Sequence, residues 1–292
     1  MTKRLAPYLL ILPFLLIMGL IFIGGISWAL LQSFGYLPVF GMDEFSLAHY
    51  RAVLHHPRFF GSLRFTFYLA AVSSALSVVL GVAIAFLVNK IRYGSKLSYA
   101  LYKVPIVIPH LVVVILMFHL FFQTGVVSRI MFALGFISSP NDFPLIIYDH
   151  RGIGIILVYL YKQIPFVTLT AFTVLLKLNR QYAHIAENLG ASPFQILTRV
   201  TLPQLAPAIL SAFLITFAFA FGAFEVPFLL GSPARITLPQ LAHFDYTSPV
   251  LAQRPAAMAM NVIISLFSLL LIWLYMKLFE FLGRRGLEGG GL

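Results

Sequence analysis

The stretch 177–207, KLNRQYAHIAENLGASPFQILTRVTLPQLAP, is a polar island between two long apolar runs. From Lys177 to Leu189 it holds neither Gly nor Pro, which predicts a helix. Gly190 follows where a helix ends on a left-handed residue. Ser192 then offers an N-cap oxygen, Pro193 suits the first helical position and Gln195 stands at the third, which together make a capping box. A second helix is predicted from Pro193 to about Leu202, limited by Pro203. Two short helices meeting at a glycine form a stiff joint outside lipid. A membrane protein needs such a joint where a soluble partner must push on it.

The runs on either side set the fold class. Crossing a bilayer takes about 20 mostly apolar residues, and six runs qualify, at roughly 6–31, 66–89, 99–121, 152–176, 208–230 and 257–281. They are continuous rather than alternating, so helices and not a barrel are expected. Charged residues make up only 10% of the chain and mean hydropathy is +0.94, against about a quarter charged in soluble domains. The expectation is an all-α integral membrane protein with six transmembrane helices. Residues 1–63 would hold the first helix and an external loop, 64–281 a five-helix core, and 282–292 a flexible tail. The first run is too long for a signal-peptide core and reads as a retained helix. With no cysteine there is no disulfide framework.

A net charge of +11 would point to nucleic acid in a soluble chain. Here the basic residues flank the apolar runs, so the expected surface partner is membrane lipid and no nucleic acid. Placing the N-terminus inside puts eleven Lys and Arg on the inner side, among them Lys90, Lys96, Lys177, Arg180 and Arg199. Seven lie on the outer side, all arginines. The sign of that bias places both termini and the 177–207 joint in the cytoplasm.

The joint also carries a resemblance. It is similar to the cytoplasmic coupling loop of type I ABC importer permeases, whose pattern is Glu-Ala-Ala, three residues, Gly, nine residues, then Ile-x-Leu-Pro. Ala186 matches the second Ala and Gly190 the Gly, while Val200, Leu202 and Pro203 match the close. His184 stands where Glu is usual and Ile185 where Ala is usual. Glu187, three residues after His184 on the same helix face, supplies an acid nearby. The resemblance implies that His184, Ala186, Glu187, Gly190, Ala191, Ser192, Val200, Leu202 and Pro203 meet an ATPase subunit. It further implies a second permease, more often a homologous different chain, two ATP-binding cassette subunits and an extracytoplasmic substrate-binding protein. ATP and magnesium would sit on the ATPase partner, with no cofactor in this chain, in a bacterial inner membrane. The segments 220–233, AFGAFEVPFLLGSP, and 254–266, RPAAMAMNVIISL, resemble the branch that includes spermidine/putrescine permeases. Phosphonates, opines, sugar derivatives and other small polar solutes remain alternatives within it.

Three residues suggest a path through the membrane. Glu225 lies in the fifth run, and a carboxylate at that depth turns toward protein or a water-filled cavity. Pro227 frees a backbone carbonyl beside it. Lys162 lies about ten residues into the fourth run. Glu225 either faces solute or pairs with Lys103 or Lys162. His110 and His119 lie nine residues apart, on opposite helix faces, which disfavours a shared metal. No Gly-x-x-x-x-Gly-Lys-Ser/Thr loop occurs. Energy therefore comes from another subunit or, in the alternative of a stand-alone secondary transporter or channel, from an ion gradient.

Overall fold

The computed structural model describes residues 2–90, 104–178 and 180–288. Lys96, Lys103 and the start of the third apolar run lie outside them, as does the end of the tail. The helices are α1 (Thr2–Ser33), α2 (Ala48–His55), α3 (Phe59–Lys90), α4 (His110–Phe121), α5 (Val126–Ala133) and α6 (Ile153–Lys177). The joint contributes α7 (Arg180–Asn188) and α8 (Pro193–Ile196). After it come α9 (Leu202–Gly222), α10 (Glu225–Leu230), α11 (Leu238–Thr247) and α12 (Arg254–Glu288). Among the described residues six candidate membrane spans result: Leu10–Ser33, Phe59–Asn89, His110–Ala133, Ile153–Lys177, Pro193–Gly222 and Leu251–Lys277.

By internal contacts the chain divides into two units, Met1–Ser62 with Leu238–Leu266, and Leu63–Thr237 with Phe267–Leu292. In the first unit α1 exposes large apolar side chains from Leu10 to Leu30, a surface suited to a lipid environment. Ser33 and Tyr50 share a hydroxyl hydrogen bond of 2.7 Å. The Arg254 guanidinium lies 5.4 Å from the ring centroids of both Phe40 and Tyr246.

The second unit is built on a seam of small residues. Ser73, Ser77, Gly81 and Ala85 recur every four residues along α3 and are all buried, so one face of the helix lets another backbone approach closely. The partner is α6. A Cβ built on Gly81 would stand 2.7 Å from the Val167 Cβ and 3.1 Å from the Ile164 carbonyl oxygen. Thr168 donates to the Gly81 carbonyl at 3.1 Å. Ser77 donates to Gln163, whose amide nitrogen donates in turn to the Thr216 carbonyl of α9. Below these polar contacts Val82, Ala85, Val167, Ala171, Leu175, Leu205 and Ala212 form an apolar core.

Three departures from the sequence expectations have physical causes. First, Lys177 belongs to α6, and the joint's first helix begins only at Arg180. Leu178 leaves the helical region (φ −62°, ψ 134°) and packs its side chain on the core, so the chain turns there. Second, Pro203 does not stop the second joint helix. Residues Leu197–Thr201 widen into a π turn, which continues α8 into α9 and spans the place where Pro203 lacks an N–H. Side chains serve carbonyls along this turn: Thr201 donates to Ile196 and Gln204 to Val200. Third, two spans are interrupted. Residues 104–107 are helical, the chain breaks at Ile108–Pro109, and α4 begins at His110. The fifth span breaks at Ala223–Phe224, leaving α10 as a separate short helix.

Candidate functional site

The joint has the predicted corner, with its hydrogen bonds in place. Gly190 has φ +82°. The Ala191 N–H donates to the Ala186 carbonyl and the Gly190 N–H to that of Glu187, both at 2.9 Å. These are the two bonds of a Schellman end. Two residues on, the Gln195 N–H donates to Ser192 Oγ at 3.3 Å and the Ser192 N–H to Gln195 Oε1 at 2.8 Å. The two caps fix the backbone on both sides of the corner between α7 and α8.

The residue types of the closing motif also find a reason. Ala186 on α7 and Arg199, Val200, Pro203 and Gln204 beyond the corner line one groove of about 510 Å³, with Tyr182, Ile185 and Leu189 on its rim. Leu202 instead packs inward on the core. The motif thus ties the corner to the bundle through Leu202 and shapes an outward groove with Val200 and Pro203. His184 Nδ1 lies 3.6 Å from Glu187 Oε2, both side chains 70% exposed, which puts the acid beside the histidine as the spacing suggested. Tyr182, Ile185, Leu189 and Phe194 are exposed apolar groups on the same joint.

The residues expected to line a path gather where the third and fifth spans are interrupted. Glu225 is the first residue of α10 and is exposed. Pro227, two residues on, is buried, and its carbonyl accepts the Gly231 N–H at 2.8 Å. Lys162 is half-buried on α6. Its ammonium donates to the carbonyls of Pro105 at 2.7 Å, Ile106 at 3.1 Å and Ile108 at 2.6 Å. Among the described residues no basic group lies within ion-pair distance of Glu225. The His110 ring, at the start of α4, stacks on Phe219 of α9 with centroids 5.1 Å apart. Sequence reasoning weighed His110 only against His119 and so missed this neighbourhood. It also missed Gln163, although the four-residue repeat of small residues on α3 was a signal that a polar partner packs there.

Residues 77–284 match the family described as the binding-protein-dependent transport system inner membrane component. The chain belongs to this family. A sulfate transport system permease protein of Salmonella typhimurium is 28% identical over 256 residues, covering 85% of this chain and 86% of the relative. A spermidine/putrescine transport system permease protein of Haemophilus influenzae is 24% identical over 219 residues, covering 74% of each. In fold the chain is similar to a crystal structure of a bacterial ABC transporter that imports alginate, with a TM-score of 0.75 at 18% identity over 96% of each chain. This family member is therefore an inner-membrane, multi-pass permease subunit of an ABC importer, and its relatives are permeases, not enzymes.

Proposed function

We propose that this permease imports a small cationic solute of the polyamine type, driven by ATPase subunits that act on the 177–207 joint. In this reading two cassette subunits hold ATP and magnesium, a homologous second permease completes the path, and an extracytoplasmic binding protein delivers the solute. Both termini and the joint face the cytoplasm, following the basic residues. Closure of the ATPase pair displaces α7 and α8 as one body and tips the bundle between inward- and outward-open states. Support for coupling comes from the doubly capped corner, with its outward groove and exposed apolar rim.

One observation carries the solute class. Among the described residues, the charge without an ion-pair partner at the interrupted spans is the Glu225 carboxylate, whereas the nearby ammonium of Lys162 already directs its donors at three backbone carbonyls. An oxyanion such as sulfate would be repelled by Glu225 and would find the Lys162 donors already engaged. An ammonium group meets an acceptor of opposite charge. Uptake of spermidine and of sulfate in membrane vesicles, by wild type and Glu225→Gln, is the test. The expected result is wild-type spermidine uptake that falls about tenfold in the variant, equivalent to about 1.4 kcal/mol. Undiminished uptake by a normally assembled Glu225→Gln, or uptake of sulfate alone, overturns the reading.

A further inference from the structure

Pro109 creates a local debt of hydrogen bonds. In an unbroken helix the N–H of residue 109 would serve the Pro105 carbonyl, that of His110 the Ile106 carbonyl, and that of Val112 the Ile108 carbonyl. Pro109 has no N–H, and the Val112 N–H turns instead to the Pro109 carbonyl at 3.1 Å. The break therefore leaves the carbonyls of Pro105, Ile106 and Ile108 without their helical donors. These are the three carbonyls that Lys162 reaches across more than fifty residues of sequence. A lysine ammonium is a compact charge with three donors. It also lies at the carboxyl end of a helical segment, where the backbone dipole favours a cation.

We propose that the carbonyls of Pro105, Ile106 and Ile108 form an ammonium-binding cage that Lys162 fills, making Lys162 the positioning residue that fixes the break in the third span just before His110. The cage is a structural reading of this chain. Its link to transport rests on the proposal that Glu225 lines the path. An arginine cannot replace the lysine, because a planar guanidinium fork spreads its donors instead of converging them on one point. A small free amine can replace it, because the cage recognises the ammonium and not the stem.

The chain has no cysteine, so a single His110→Cys reports the geometry of the break through its rate of maleimide labelling in native membrane vesicles. Adding Lys162→Ala is expected to change that rate several-fold, and n-propylamine, which replaces the deleted stem and ammonium, is expected to restore it. Lys162→Arg is expected to resemble Lys162→Ala. If Lys162→Ala does not assemble, Pro109→Ala in the same chain is expected to restore assembly, because a continuous helix again serves the three carbonyls. An unchanged labelling rate in Lys162→Ala overturns the proposal. So does normal labelling in Lys162→Arg, no effect of propylamine on an assembled Lys162→Ala, or failure of Pro109→Ala to restore assembly of an unassembled one. Uptake by Glu225→Gln tests the path separately, so the cage and the path can fail independently.

Discussion

Ser77 on α3 donates its hydroxyl to Gln163 Oε1 on α6 at 2.9 Å, across 86 residues of sequence. Both side chains are buried, and the Gln163 amide reaches on to the Thr216 carbonyl of α9. Three spans thus meet at one amide group. Ser77→Ala leaves the Gln163 oxygen buried without this donor, and we expect a loss of about 1 kcal/mol. Gln163→Leu in the same chain removes the stranded group, so the double variant should lose less than the two single effects summed. Reversible unfolding in detergent, read as a double-mutant cycle, checks this.

Gly190 has φ +82° and nothing within 4 Å of where a Cβ would stand. The cost of a side chain there is therefore backbone strain without a clash. Gly190→Ala should destabilise the corner by about 1 kcal/mol, and Gly190→Asn by less, because Asn tolerates the left-handed region. Gly190→Val should assemble poorly or hydrolyse ATP without matching uptake. The ratio of hydrolysis to uptake in proteoliposomes measures the effect, and an unchanged ratio in Gly190→Val counts against the corner as a lever.

Burial pushes the Asp245 carboxyl above the usual carboxylate value, while His56 and Arg58 oppose the shift. A raised value means that the folded state holds the proton more tightly than the unfolded chain. The associated stability is complete below the ordinary carboxylate value and is lost as pH rises through the raised one. Asp245→Asn should flatten that part of the stability profile. Protease resistance of the 238–247 region, followed from about pH 3.5 upward, reads it; an equally steep profile in the variant contradicts the assignment.

The joint was legible because its signals are local. Gly190, Ser192, Pro193 and Gln195 act within a turn of one another, so spacing alone predicts both caps. The six spans were legible from apolar length, although their ends moved. Pro203 misled because the π turn before it involves hydrogen bonds that sequence spacing does not reveal, and Leu178 because its burial depends on the assembled core. The cage at Lys162 was not legible at all. Pro109 announces a break, but nothing in the sequence near it names the residue that answers the orphaned carbonyls. The Ser73, Ser77, Gly81, Ala85 repeat lies between these cases: its spacing marks a close helix contact, and only the structure identifies α6 as the partner.

The central claim is that the 177–207 joint is where an ATPase subunit docks on this permease. Leu189 is 83% exposed beside the corner, on the rim of the groove that Val200 and Pro203 line. The most direct measurement is affinity purification of tagged wild type and Leu189→Asp from native membranes, with quantification of the proteins that accompany each. The account predicts that wild type brings down an ATPase and a second permease in stoichiometric amounts, and that Leu189→Asp keeps the permease and loses the ATPase. An ATPase retained in full by Leu189→Asp, or a wild-type chain that purifies alone and moves solute without ATP, would contradict it.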